Sequence, residues 1–129
     1  MDSAVLFVSP YPQDAATLAR MLDNVPSLIH AVSVKEAASK LETASFQTVL
    51  TEATLEDGTW LDLLQLSRSL DTVLIVTHPW ADVRFWAEAI NMGAYDVLAQ
   101  PFNGTEVRRV LNSAAGRKSP IKTKTGAAA

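Results

Sequence analysis

The feature that most constrains this chain is an alternation of short apolar runs with longer segments whose apolar residues recur at helical spacing. Such alternation points to a parallel sheet wrapped by helices. Ala4 to Val8 is uninterrupted and apolar, as a strand covered on both faces requires. Leu28 to Val32, Thr48 to Thr51, Val73 to Thr77 and Asp96 to Ala99 supply four further strands. Pro12 suits a first helical position, and Ala15, Leu18, Ala19 and Leu22 then share a face. Ser33 with Glu36, Thr59, and Asn103 with Glu106 are helix-start signals. The second helix presents Ala37 and Leu41, the third turns Leu61, Leu64 and Leu70 inward, and the last presents Val107, Val110, Leu111 and Ala114. Glu56, Asp57 and Gly58 make a loop, and a helix from Ala81 to Met92 stops at Gly93.

Right-handed crossovers between five such units favour an α/β, doubly wound five-stranded parallel sheet with five flanking helices. Sheets of this kind hold their sites at the carboxyl ends of the strands. The search for function therefore narrows to Ser9, Glu52, Thr77 and Gln100.

At 129 residues the chain is one domain, and its 48% hydrophobic content suits a globular core. With no cysteine it has no disulfide framework, thiolate metal site or cysteine nucleophile. The N-terminal stretch carries an acid where a signal peptide carries bases, and no run approaches the roughly 18 apolar residues of a membrane span. A soluble, cytoplasmic domain is the expectation.

The net charge of −3 hides an asymmetry: residues 1–102 hold thirteen acids against five bases, and residues 103–129 one acid against six bases. The acidic body offers little to nucleic acid, which needs clustered Lys and Arg. Residues 118–129, KSPIKTKTGAAA, have little to bury and are expected to be a flexible basic tail, a linker or an expression remnant after a domain spanning 1–117.

Two stretches carry a family resemblance. EAINMGAYDVLAQPF, residues 88–102, is similar to the GAYDYLxKPF segment of response-regulator receiver domains of the nitrogen-regulator type, and VLTEATLEDGTWLDLL, residues 49–64, to their strand-end aspartate followed by LMLPDGDGLELL. The resemblance covers about residues 4–115 and implies a flavodoxin-like sheet of order 2-1-3-4-5. A working receiver accepts a phosphoryl group on that aspartate. Two acids after the first strand hold Mg²⁺, a Thr or Ser ends the fourth strand, and a Lys precedes a proline after the fifth; cation, ammonium and hydroxyl together neutralise and bind the phosphoryl oxygens.

Position by position, the resemblance places the aspartate on Glu52, the acid pair on Ser9 and Pro10, the hydroxyl on Thr77, the lysine on Gln100 and the proline on Pro101. Only hydroxyl and proline survive. The family's swinging aromatic falls near Val97. Mg²⁺ is not expected, because Ser9 and Pro10 leave Glu52 as the lone carboxylate. Glu52 is also one methylene longer than Asp, and geometric error of about 1 Å costs on the order of a hundredfold. Glu52 then imitates a phosphorylated aspartate or is an idle strand-end carboxylate; the expectation is a hydrogen-bonded Glu52, Thr77 and Gln100 cluster, with a raised Glu52 pKa if buried.

His30 and His78 lack partners at metal spacing and read as structural. No glycine-rich phosphate loop or GxSxG elbow is present. Trp80, Phe85 and Trp86 are too many aromatics for one helix face to bury, so Phe85 and Trp86, with Val97, are candidates for an interface on the face of the fourth helix, last strand and last helix. The reading is a pseudo-receiver: no enzyme, acting through a protein partner or homodimer, either standing alone or cut from a larger regulator whose output domain followed Lys118. The alternatives are a phosphorylation-competent receiver using Glu52 or Asp57 and a flavodoxin-like small-ligand binder.

Overall fold

The computed structural model describes residues 4–23 and 27–117; the segment 118–129 lies outside the described residues. Strands β1 (Val5–Val8), β2 (Leu28–Ala31), β3 (Thr48–Glu52), β6 (Val73–His78) and β7 (Asp96–Ala99) form one parallel sheet in the order β2-β1-β3-β6-β7. This is the 2-1-3-4-5 order that the resemblance implied. The helices are α1 (Pro12–Leu22), α2 (Val34–Thr43), α3 (Trp60–Ser69), α4 (Val83–Met92) and α5 (Gly104–Arg117).

Period-two alternation sends neighbouring strand residues to opposite faces. Leu6, Val8, Val49, Leu74 and Val76 pack with α2 and α3 through Leu41, Trp60, Leu63 and Leu64. Val5, Phe7, Leu50, Ile75 and Leu98 meet α1 and α5 through Leu18, Leu22, Val107, Val110 and Leu111. Strand β1 is apolar and buried at every position because both its faces are covered.

Helix starts follow the cap signals. Ser33 Oγ accepts from the Glu36 amide at 3.1 Å, Thr59 Oγ1 from Leu61 at 3.2 Å, and Asn103 Oδ1 from Glu106 at 3.0 Å. Glu36 itself reaches past the cap to the Val32 amide (2.8 Å).

Several local expectations change. Leu61 and Leu70 are exposed; Trp60, Leu63, Leu64 and Ser67 are the buried residues of α3, because Trp60 packs into the core edge-on to Phe85 and turns the adjacent Leu61 outward. Helix α4 starts at Val83, not Ala81, because the Asp82 carboxylate takes the Phe85 amide at 2.8 Å. The loop around Asp57 holds two short strands, β4 (Thr54–Leu55) and β5 (Gly58–Thr59), in an antiparallel pair. At the far end of α4, Gly93 has φ +122°, and the Arg68 guanidinium donates to the Met92 carbonyl beside it. A Cβ there would lie 2.4 Å from that guanidinium.

Candidate functional site

The parallel register sets Glu52 opposite Thr77 at the carboxyl edge, and the residues following β1 and β7 bring Ser9 and Gln100 beside them. Ser9 and Thr77 are fully buried and Glu52 retains 5% exposure. Gln100 Nε2 donates to both Glu52 oxygens, at 3.1 and 3.0 Å, and stands 3.2 Å from Thr77 Oγ1. Thr77 sends its own hydrogen to the Leu98 carbonyl (2.9 Å), so its oxygen is free to accept from Gln100. Ser9 Oγ donates to Glu52 Oε2 at 3.4 Å and accepts from the Tyr11 amide at 3.1 Å. An ionised carboxylate only accepts, and Ser9 and Gln100 each present it a donor. The link from Glu52 to Thr77 thus runs through Gln100.

These contacts are neutral. Burial pushes the Glu52 carboxyl above the usual glutamate range, the Gln100 hydrogen bond opposes that rise, the like charge of Asp14 adds to it, and the Ser9 hydrogen bond opposes it again. The Gln100–Pro101 peptide is cis, and Pro101 is exposed. Pro10, half-buried, has no side-chain donor or acceptor. Among the described residues no group of three His, Asp or Glu side chains could hold a metal ion.

Asp57 lies elsewhere. Its two oxygens accept from the Val34 amide (2.8 Å) and the Lys35 amide (3.0 Å) at the start of α2. Those two amides are the largest causes that hold its carboxyl below the usual aspartate range. Sequence spacing alone hid this cap, because the partners are more than twenty residues away; an acid in a tight loop was the only signal.

The histidines are held by their surroundings. His30 Nε2 lies 2.7 Å from the Ser9 carbonyl and its ring stacks on Phe7, while His78 Nδ1 accepts from the Trp80 amide and its ring tilts against Phe85.

The proposed aromatic interface divides. Phe85 turns inward, edge-on to Trp60 and against His78, and Val97 is buried. Neither is an exposed anchor: α4 turns Phe85 toward the core, and Val97 belongs to the buried cluster that holds Leu74, Val76 and Ala89. Trp86 is 47% exposed, its indole N–H directed to Asp96 Oδ1 at 3.3 Å. Trp80 and Val83, which the sequence did not single out as contact residues, are more exposed still, at 79% and 83%. Val83 and Trp86 wall a groove of about 530 Å³ with Val97 and Ala99 beneath and Asp82 and Glu106 at its sides. A second cavity, of about 560 Å³, opens between α3 and α4 beside Leu64, Arg68 and Tyr95, and its lining includes no member of the strand-end cluster.

No helix among the described residues is long and apolar enough to cross a membrane. No family model and no curated protein matches the sequence. Solved structures do. A Francisella response-regulator receiver domain is similar at TM-score 0.81 and 19% identity, over 92% of this chain and 100% of that one. The beryllofluoride-activated NtrC4 receiver domain, solved as a dimer, gives 0.80 and 24% over 90% and 98%. The signal receiver domain of an HD domain-containing protein from Pseudomonas fluorescens gives 0.80 and 22% over 92% and 98%. The strand order, the five flanking helices and these matches agree: the chain has the fold of response-regulator receiver domains.

Proposed function

We propose that this chain is a pseudo-receiver, a signalling domain that acts through protein contact and accepts no phosphoryl group. The observation that carries the reading is the Gln100 amide, which engages both Glu52 oxygens and Thr77 where the resembling receivers use a lysine. In-line phosphoryl transfer needs an accessible carboxylate oxygen and cations to absorb the developing charge. Here both oxygens accept from an amide, the Ser9 hydroxyl adds a weaker contact, and the carboxylate is buried. Mg²⁺ requires octahedral oxygen coordination, and Ser9, Pro10 and an engaged Glu52 do not fit it. Asp57 is a poor substitute acceptor, since the start of α2 occupies both its oxygens.

What remains is a contact surface on α4, β7 and α5, where Trp86 and Val83 stand exposed beside the groove. Large rigid side chains at such a place anchor protein interfaces. The NtrC4 receiver of the comparison is a dimer, which makes a second copy one occupant to test for this face. The reading is tested by incubating the protein with radiolabelled acetyl phosphate and Mg²⁺. The expected result is no incorporated label; stoichiometric label on Glu52 or Asp57 would overturn it. In parallel, Trp86→Asp is expected to abolish self-association or partner capture, and an unchanged solution mass and unchanged capture would remove the surface from the proposal.

A further inference from the structure

Gln100 Nε2 carries two hydrogens, yet three oxygens stand within bonding distance of it: Glu52 Oε1 at 3.1 Å, Glu52 Oε2 at 3.0 Å and Thr77 Oγ1 at 3.2 Å. One of the three is always short of a hydrogen. The Ser9 hydroxyl relieves Glu52 Oε2 only through a long contact of 3.4 Å, and it has no second hydrogen to give. A buried polar network left partly satisfied in this way is costly.

Nearby charge does not make up the shortfall. Among the described residues gathered around Glu52, Ser9 from the end of β1, Thr77 from β6 and Gln100 from the turn after β7 are neutral, and Asp14 on α1 bears a like charge. His78, next along β6, is engaged with the Trp80 amide and the Phe85 ring, and Asp57 with the start of α2. Burial and Asp14 both favour the uncharged carboxyl.

Uptake of one proton inverts the count. A proton from solvent, arriving past the partly exposed Gln100, forms an O–H bond on Glu52 Oε1 and makes the carboxyl neutral. If the Gln100 carboxamide then turns over, its carbonyl oxygen takes the place of Nε2 and offers two lone pairs to two hydroxyl donors, those of Glu52 and Thr77. Ser9 still donates to Glu52 Oε2. Donors and acceptors now match, at the cost of one bond: the Thr77 hydrogen leaves the Leu98 carbonyl, which accepts it at 2.9 Å while Glu52 is ionised. Leu98 lies between Val97 and Ala99, which line the groove of the contact face.

We propose that Glu52 and Gln100 form a proton-operated switch: with Glu52 ionised, Gln100 donates to it and Thr77 holds the Leu98 carbonyl; with Glu52 protonated, Gln100 is turned over, accepts from both hydroxyls and releases that carbonyl. A proton is then the input that this site passes to β7 and the contact face. The inference rests on the reading of Glu52 as a group that takes no phosphoryl, but its test contains no phosphodonor, so either idea can fail alone.

The isotope-labelled full-length protein is titrated by NMR from neutral pH downward to the onset of unfolding. The Glu52 side-chain carboxyl carbon should titrate above the ordinary glutamate range. With the same midpoint, the Gln100 side-chain NH₂ protons should lose their carboxylate-bonded shifts and the Leu98 carbonyl carbon should move. In Glu52→Gln the Gln100 and Leu98 changes should both be lost; in Thr77→Val only the Leu98 change should be lost, while Glu52 and Gln100 continue to titrate. A Glu52 that titrates in the ordinary range, or stays ionised until the protein unfolds, overturns the proposal. So does a Glu52 that titrates high while the Gln100 protons or the Leu98 carbon stay still, because the carboxyl then takes a proton without turning the amide. These outcomes are read on the parent protein, and a Leu98 change that persists in either folded variant counts equally against the switch.

Discussion

Glu52 and Asp57 lie five residues apart in the chain, and their environments move them in opposite directions. Glu52 closes the central strand, is buried, and is met by neutral donors on side chains, so desolvation dominates and favours its protonated form. Asp57 sits in the exposed loop that follows, where two amides from the start of α2 favour its charged form. A carboxylate's role here depends on whether its donors offset the water it has lost. At Glu52 they offset part of it; Asp57 lost little water and gained the unpaired amides of a helix start.

Four substitutions test these opposed environments. The largest effect is expected from Gln100→Leu, which leaves a buried carboxylate without its main donor and should cost about 2–3 kcal/mol in chemical denaturation at neutral pH. A change within 0.5 kcal/mol would mean that water replaces the amide freely.

Next is Glu52→Gln, which keeps the side-chain length and an acceptor for Gln100 while removing the charge. Because the folded Glu52 pKa is raised, its favourable contribution is fully present below the ordinary glutamate pKa and is lost as pH rises through the folded value. The variant should therefore melt at a higher temperature than the parent at pH 7, with the gap closing below about pH 4, near the ordinary glutamate value. A constant gap across that range would show that Glu52 does not titrate abnormally.

Asp57→Ala should act with the opposite sign. The depressed Asp57 pKa contributes stability above the ordinary aspartate pKa, and that stability disappears as pH falls through the folded value. The variant should melt below the parent at pH 7, and acidification past the aspartate range should bring the two together.

The smallest effect concerns two threonines. Thr77, at the end of β6, has both a donor and an acceptor partner, whereas Thr48, at the start of β3, is fully buried with no hydrogen-bond partner for its hydroxyl. Thr48→Val keeps the shape and removes an unsatisfied group, so a gain of about 1 kcal/mol is expected in denaturant titration. A loss would imply that a water satisfies the hydroxyl.

The layered α/β arrangement was legible because the runs Val5–Val8 and Val73–Val76 are apolar at consecutive positions, as strands covered on both faces require. The positions of Glu52, Thr77 and Gln100 at the strand ends were legible through that arrangement and the family resemblance. Other features were not. Leu61 and Trp60 are adjacent apolar residues, and only the packing of Trp60 into the core, edge-on to Phe85, decides which of them is buried. Phe85 and Trp86 are likewise adjacent, and the packing of Phe85 against Trp60 and His78 settles which aromatic goes inside.

The residues alone dictated the alternation of elements and the caps at Ser33, Thr59 and Asn103, because these depend on residue type and local spacing, while the resemblance implied acids and a lysine where Ser9, Pro10 and Gln100 stand. Tertiary structure alone decided that Gln100 grips both oxygens of Glu52, that Asp57 caps a helix more than twenty residues earlier, and that Trp86 is left outside. The reason is range. Periodicity and capping act over a few residues, whereas a hydrogen bond or a buried ring depends on which distant segments the folded sheet brings within about 3–4 Å.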